Sequence, residues 1–238
     1  MKSFIYILLT SLTFLVVGCQ NESEEIRLIN QAERLFDAYP DSVITTLDSI
    51  PLPEEMSPRL IARWCMLYAR AADKIEDEMP YTNQLEIALK YYQKKKMREE
   101  EAEIGLYLGR SYVEDKEYEK AMRTYSDALK VALAIKDYNR AGYICSYMGD
   151  LYEVDLRYIL AAEKYKESGK YFHLANNTTS YVRAFVNEGR SYMSVDSNYL
   201  ALASLKQAEV IMDSLNVENV KTYVSVSYTH LTLPTKRI

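Results

Sequence analysis

Gly109, Gly149 and Gly189 stand forty residues apart, and their surroundings repeat with them. Each is followed by a tyrosine three residues on (Tyr112, Tyr152, Tyr192) and by an alanine twelve residues on (Ala121, Ala161, Ala201). Two of the three blocks read Gly-Arg-Ser-Tyr. A self-similar period of this length builds a stacked array, because one unit cannot bury its apolar face alone and its neighbours complete the core. The composition agrees. Of 238 residues 48% are apolar, with only 7 Gly and 6 Pro, which is enough for a core and too few breakers for many turns. The 22 Tyr beside 1 Trp and 5 Phe suit half-buried helices whose rings pack while the hydroxyls stay wet.

The three units, residues 101–140, 141–180 and 181–220, each split into two helices. Helix A ends shortly after the tyrosine. A polar turn follows, at Asp115-Lys116, Asp155 and Asp196-Ser197. Helix B then carries Ala121/Tyr125/Ala128, Ala161/Tyr165/Ser168 and Ala201/Leu205/Ala208, a spacing of i, i+4, i+7 that makes one helical face. Lys136-Asp137, Asn176-Asn177 and Asn216 separate the units and supply caps. Small residues in both helices let the backbones approach, and the tyrosines and Leu205 fill the space between units. The expected fold is all-α, a solenoid of helix-turn-helix repeats.

Leu108-Gly109-Arg110-Ser111-Tyr112 followed by Ala121, Tyr125 and Ala128 resembles the tetratricopeptide repeat, as do Met148-Gly149 with Tyr152 and Gly189 with Tyr192. The chain departs from that family in two ways. The usual period is thirty-four, and the usual closing proline is replaced by Leu133, His173 and Asp213. Both departures point to longer helices, as in forty-residue variants of the repeat. The resemblance implies that helix A lines a concave groove through four positions per unit. Here those are Glu103, Leu106, Arg110 and Val113; Tyr143, Ser146, Asp150 and Glu153; then Arg183, Val186, Arg190 and Met193. Arg110 and Arg190 flank Asp150 on one stripe. A mixed-charge groove with Tyr and Met suits a peptide or helix. The Lys/Asn clamp by which some members hold a C-terminal carboxylate is missing at these positions.

Upstream, residues 26–100 carry a weaker version of the pattern. Arg59–Lys74 and Thr82–Lys96 read as one helical pair, with Ala69 at the glycine position, Tyr81 replacing the first helix-B alanine and Ala88 at the second. Ser23–Ala38 and Pro40–Ile50 read as another, with Pro40 ending one helix and Asp41 or Ser42 capping the next. These are expected to be the atypical end units that arrays need.

Residues 1–18 are an export signal: Lys2, then an apolar run from Phe4 to Val17 too short for a typical spanning helix. The ending Val16-Val17-Gly18-Cys19 resembles a bacterial lipobox, which implies that Cys19 is lipidated and anchors the mature chain at the cell envelope, on the outer membrane, the cell surface or the periplasmic face. Residues 19–25 are an acidic tether. It resembles the surface-export signals of Bacteroidetes lipoproteins and equally reads as a solvated linker. The opening through Ile50 also resembles lipid-anchored repeat proteins of that group. Cys65 and Cys145 lie two periods apart at one repeat position, beyond disulfide reach, and are expected as small buried packing residues.

Residues 221–225 would begin a further repeat. Val226–Ile238 breaks the pattern. It is strand-like in composition, Thr229 stands where a glycine is due, and Val226–Thr235 resembles the translation of a transposon-end sequencing adapter. It is expected to be a non-native tail on a truncated reading frame.

No catalytic constellation is present. His173 ends a helix B, His230 lies in the tail, and no phosphate loop, nucleophile elbow, His-Glu-x-x-His or Cys-x-x-Cys occurs. No metal or cofactor is expected. The net charge of −5 argues against a nucleic-acid surface, and Lys94–Lys96 is balanced closely by Glu99–Glu101. Asn176–Thr179 holds glycan-acceptor triplets, and Asp41-Ser42-Val43, Asp48-Ser49-Ile50 and Asp213-Ser214-Leu215 resemble an O-glycosylation signal; helix capping accounts for the same letters. The expectation is a non-enzymatic, membrane-anchored scaffold that binds a protein or peptide. Its alternatives are the input half of a signalling protein cut before its effector, and a glycan-binding uptake lipoprotein.

Overall fold

A computed structural model describes residues 23–51, 55–215 and 221–232. The chain is an all-α solenoid of helix-turn-helix repeats. Helices alternate between A and B types: α1 (Glu24–Leu35) and α2 (Pro40–Asp48), α3 (Pro58–Ile75) and α4 (Thr82–Lys95), α5 (Arg98–Glu114) and α6 (Tyr118–Ala134), α7 (Tyr138–Val154) and α8 (Tyr158–Leu174), α9 (Thr178–Met193) and α10 (Asn198–Ser214), then α11 (Lys221–Thr232). Each helix packs on the next, and A helices also touch across units: α1 on α3, α3 on α5, α5 on α7, α9 on α11. In a curved stack the helices that meet across units lie on the short-radius side, so the A helices form the inner face. Among the described residues no helix is long and apolar enough to cross a membrane.

The backbone repeats at half the sequence period. Glu76, Lys96, Lys116, Lys136, Leu156, Asn176 and Asp196, twenty residues apart, all have φ between 55° and 61°. Each ends a helix, and the amide of the next residue donates back to a carbonyl five residues earlier: Glu117 to Tyr112 (2.8 Å), Asp137 to Ala132 (2.9 Å), Arg157 to Tyr152 (2.8 Å), Ser197 to Tyr192 (3.0 Å). This bond satisfies carbonyls the helix leaves open and turns the chain sharply. The tyrosine three residues after each glycine is therefore the residue whose carbonyl closes helix A. Glu76 and Lys96 put α3 and α4 in the same register as the later pairs.

Helix starts need side chains only at some positions. Asp137 accepts from the Arg140 amide (2.9 Å) and Asn177 from that of Ser180 (3.1 Å). The last three helix pairs thus begin at Arg98, Tyr138 and Thr178, just ahead of 101, 141 and 181. Asn216 lies outside the described residues. Pro40 does not end a helix. It opens α2, where its missing N–H costs nothing, and neither Asp41 nor Ser42 caps.

The glycines act by a different contact from the expected backbone approach. A methyl on Gly109 would fall within the ring of Tyr125, with Cζ at 2.8 Å and Cε1 closer still; on Gly149 it would meet Tyr165 Cε1 at 2.7 Å. Both rings are fully buried. At Gly189 the neighbours are Leu205 Cγ at 3.1 Å and the Ala201 carbonyl at 3.3 Å. The glycine is thus a seat for a helix-B ring, and only in the last unit does it meet backbone. Ala121, Ala161, Ala201, Ala69 and Ala88 are fully buried. Cys65 in α3 and Cys145 in α7 are buried free thiols, and burial raises the Cys145 thiol to about 12.

Residues 226–232 are helical, against the extended reading. α11 packs on α10 and α9, burying Val224 and Ser227, and the Tyr228 hydroxyl donates to Glu209 (3.2 Å). Tertiary packing overrides a weak strand preference here. Cys19 and residues 233–238 lie outside the described residues.

Candidate functional site

The inner face is built by equivalent residues of α3, α5, α7 and α9. One column is Arg63, Glu103, Tyr143, Arg183; the next is Met66, Leu106, Ser146, Val186; a third is Arg70, Arg110, Asp150, Arg190; a fourth is Asp73, Val113, Glu153, Met193. Helical spacing at i, i+3, i+7 and i+10 puts each set on one side of its helix.

Most of the charged members turn out to make hydrogen bonds or ion pairs across units. Glu103 on α5 accepts Arg70 of α3 with both oxygens (2.6 and 2.7 Å), Arg140 of α7 (3.1 Å) and the Tyr107 hydroxyl (3.3 Å). Burial pushes the Glu103 carboxyl up, but the Arg70 hydrogen bonds, both arginine charges and Tyr107 outweigh it and hold it below the ordinary glutamate value. Arg110 pairs with Asp73 of α3 and lies over the Tyr147 ring, 5.6 Å from its centroid. Glu153 accepts from Ser191 of α9 (2.6 Å). Arg63 pairs with Glu33 of α1 (2.7 Å). These groups act as rivets between successive A helices.

Asp150 is held differently. It accepts the hydroxyl of Tyr165 on α8 (2.6 Å). Surrounding protein raises its pKa and Glu153 adds to the rise, while Tyr165 and Arg190 oppose it. Arg190 is thus the arginine that acts on Asp150, and Arg110 turns away to Asp73.

Three expected positions offer a ligand little. Val186 is completely buried, in an apolar cluster with Val182, Leu205 and Ala208. Glu103 and Leu106 are each 8% exposed. Glu103 is covered where the A helices on either side lean on α5, whereas Val186 turns toward α10 of its own unit. Val113, Ser146, Glu153 and Met193 are half-buried, and Tyr143, Asp150, Arg183 and Arg190 are exposed. Tyr143 stands edge-on to Phe172 (4.9 Å), and its hydroxyl lies 3.4 Å from both Ser180 Oγ and Asn177.

Between α3, α5 and α7 the face opens into a cavity of about 250 Å³, walled by Asp73, Tyr107, Asn139, Arg140, Tyr143 and Tyr147. Asn139, Tyr147 and Tyr107 are not among the twelve expected positions. The signal available in the sequence was a position four residues before or after an expected one (Tyr107 after Glu103, Asn139 and Tyr147 on either side of Tyr143), which helical geometry brings to the same rim. A second cavity of about 380 Å³ lies one unit earlier, with Glu33, Arg63, Met66 and Arg70 in its wall. The polar groups at both are mostly satisfied, and at the first the rings are packed, Tyr147 stacked on Tyr125 and Tyr143 edge-on to Phe172. Such a surface can hold a ligand by hydrogen bonds and ring contacts without rearranging.

No family profile and no curated protein matches the chain. Solved structures do. The apo form of RapI superposes with a TM-score of 0.69 at 12% identity, over 87% of this chain and 80% of that one. BtubC (BKLC) from P. vanneervenii gives 0.55 at 18% identity, over 79% and 75%. A putative kinesin light chain of Podosopora anserina with nearly identical TPR-like repeats gives 0.57 at 12% identity, over 81% of this chain and 96% of that one. Bacillus thuringiensis PlcR, solved with the peptide PapR7 and DNA, gives 0.50 at 14%, over 90% and 78%. At these identities the likeness is one of fold, that of tetratricopeptide-like arrays.

Proposed function

We propose that the chain is a helical-repeat scaffold that binds a peptide or a segment of a protein along the inner face, acts without catalysis, and is held at the bacterial envelope by a lipid on Cys19. The observation that carries the binding reading is the inner face itself: rivets between A helices that keep it preformed, around a cavity edged by Tyr143, Tyr147 and Asn139. Preorganised aromatic and amide groups lower the ordering cost of holding an extended ligand. The fold likeness to PlcR, which was solved holding a peptide, supports the same class of ligand.

Peptides selected by display on the immobilised chain test it. The double variant Tyr143→Ala/Arg183→Glu alters two exposed groups and is expected to lose about tenfold in affinity, or ~1.4 kcal/mol, while still unfolding in one cooperative transition. Unaltered affinity rejects the inner face as the site. The anchor is tested separately by growing cells with a clickable fatty acid: label should enter the wild-type chain and vanish in Cys19→Ser, and label that persists in the variant rejects it.

A second reading, the peptide-reading input half of a signalling protein, draws on the same PlcR complex, which also contains DNA. The natural reading frame decides it, since a frame that closes soon after residue 225 leaves no room for an output domain.

A further inference from the structure

In this topology every turn from an A helix to its B helix lies on one edge of the array, and every B-to-A turn on the other. The two edges expose different chemistry. Tyr81, Tyr118, Val154, Leu156, Ile159 and Tyr199 all belong to the A-to-B edge and range from 40% exposed at Tyr118 to 83% at Tyr199. The described B-to-A turns show Met97, Leu174 and Leu215. Charge divides the same way. The A-to-B turns carry Asp37, the run Glu76-Asp77-Glu78, Asp115, Glu117, Asp155 and Asp196 against Lys116 and Arg157. In the described B-to-A turns, Lys96 and Lys136 offset Glu55 and Asp137.

On the acidic edge a cleft of about 580 Å³ opens between α6 and the end of α7. Tyr118 and Met122 form one wall; Leu151, Tyr152, Val154 and Arg157 form the other, with exposed Glu119 beside them and Asp155 3.8 Å from the Arg157 guanidinium. The chain's own cations already use this chemistry. Arg157 lies 5.4 Å from the Tyr152 ring centroid, and Lys120 lies 5.6 Å from that of Tyr112 while pairing with Glu117 (3.1 Å). Tyrosine faces flanked by carboxylates attract cations twice over, through the ring quadrupole and through charge.

We propose that this edge is a second docking surface, separate from the inner face, for a basic segment of a protein partner. The segment presents one aliphatic or aromatic side chain to the cleft and lysine or arginine to the carboxylates around it. An exposed apolar strip with a polar rim marks an interaction site, and the excess of carboxylates over Lys116 and Arg157 along this edge names the sign of the partner. A second copy of the chain would bring acid against acid. An anionic lipid surface would be repelled for the same reason.

The test uses fluorescein-labelled helical peptides with Lys or Arg on one face and Leu or Phe on the other, and a matched set with Glu in place of the cations. Anisotropy titration of the full chain should show binding of the basic set alone. Glu119→Lys/Asp155→Lys and, independently, Tyr118→Ser/Val154→Ser should each weaken it by about tenfold, whereas Tyr143→Ala/Arg183→Glu on the inner face should leave it unchanged. Every altered residue is exposed, and thermal melts confirm that the variants fold. Four results overturn the proposal: equal binding of both peptide sets, loss only in the inner-face variant, self-association in sedimentation that Tyr118→Ser/Val154→Ser abolishes, or flotation with anionic vesicles that the same variant abolishes.

Discussion

Gly109→Ala isolates what the repeating glycine does. In an exposed helix the change would stabilise, by about 1 kcal/mol, because alanine loses less backbone entropy on folding. Here the new methyl lies 2.8 Å from Tyr125 Cζ and nearer still to Cε1, whereas carbon atoms rest about 3.5–4.0 Å apart. The ring must retreat by roughly an ångström. It has no room: Tyr125 is 1% exposed and stacks on Tyr147, with centroids 6.0 Å apart and planes 13° from parallel. Overpacking of this kind costs about 1–3 kcal/mol or more, so a net loss of about 2 kcal/mol is expected. For a chain of this length that is a melting-temperature drop of roughly 5 °C. The same change at Gly149 meets Tyr165 at 2.7 Å and should cost somewhat less; at Gly189, 3.1 Å from Leu205, the helix gain should nearly cancel the strain. Urea and thermal unfolding followed by circular dichroism give the order. The double variant Gly109→Ala/Tyr125→Leu recreates the Gly189–Leu205 pairing with one methyl added and should show favourable coupling of about 1 kcal/mol or more. A Gly109→Ala chain as stable as the wild type, or a larger loss at Gly189 than at Gly109, refutes the seat-for-a-ring argument.

Other outcomes follow from single contacts. Glu188, 4% exposed, occupies the position of Leu108 and Met148, and burial raises its pKa; Glu188→Leu should stabilise the chain by about 1–3 kcal/mol at neutral pH. A raised carboxyl destabilises only while ionised, so that gain should shrink as pH falls through the raised value toward that of an unfolded glutamate, and a gain independent of pH in guanidinium melts would contradict the assignment. Glu103→Gln should cost about 1–3 kcal/mol at pH 7. Its lowered carboxyl contributes stability above the unfolded glutamate value and loses it as pH falls through the folded one, so wild type and variant should converge in acid. Leu156→Gly removes a branched residue from a left-handed position, φ 58°, where it is 71% exposed; a gain of about 1 kcal/mol in calorimetry is expected.

The sequence made the helical pairs legible because the period is written in residues whose size is not negotiable. A glycine at 109 and an alanine at 121 are read as close approaches, and both prove to be packed solid. The twenty-residue backbone period was not legible, because the left-handed helix ends are held by Lys, Leu, Asn, Asp and Glu with no glycine among them. Their conformation follows from a hydrogen bond that any residue can make once the next helix docks. The groove was legible as a set of positions and illegible as a surface. Spacing places Glu103 and Val186 on the inward side of their helices, but it cannot say that neighbouring A helices cover the first or that α10 of its own unit buries the second.

By itself, the sequence determined that the chain is an array of paired helices, where each pair turns, and which positions must stay small. These are local matters of size and periodicity. That Gly109 and Gly149 seat a tyrosine ring came from the structure. The tertiary structure alone decided that Arg70, Glu103 and Arg140 are rivets, that Tyr143 and Asn139 stay at the rim of a cavity, that residues 226–232 coil onto α9 and α10, and that tyrosines and carboxylates from separate turns share one edge. The first three depend on contacts between residues roughly twenty to forty positions apart and the last on how the units stack, and a one-dimensional pattern records such residues only as equivalents, never as neighbours.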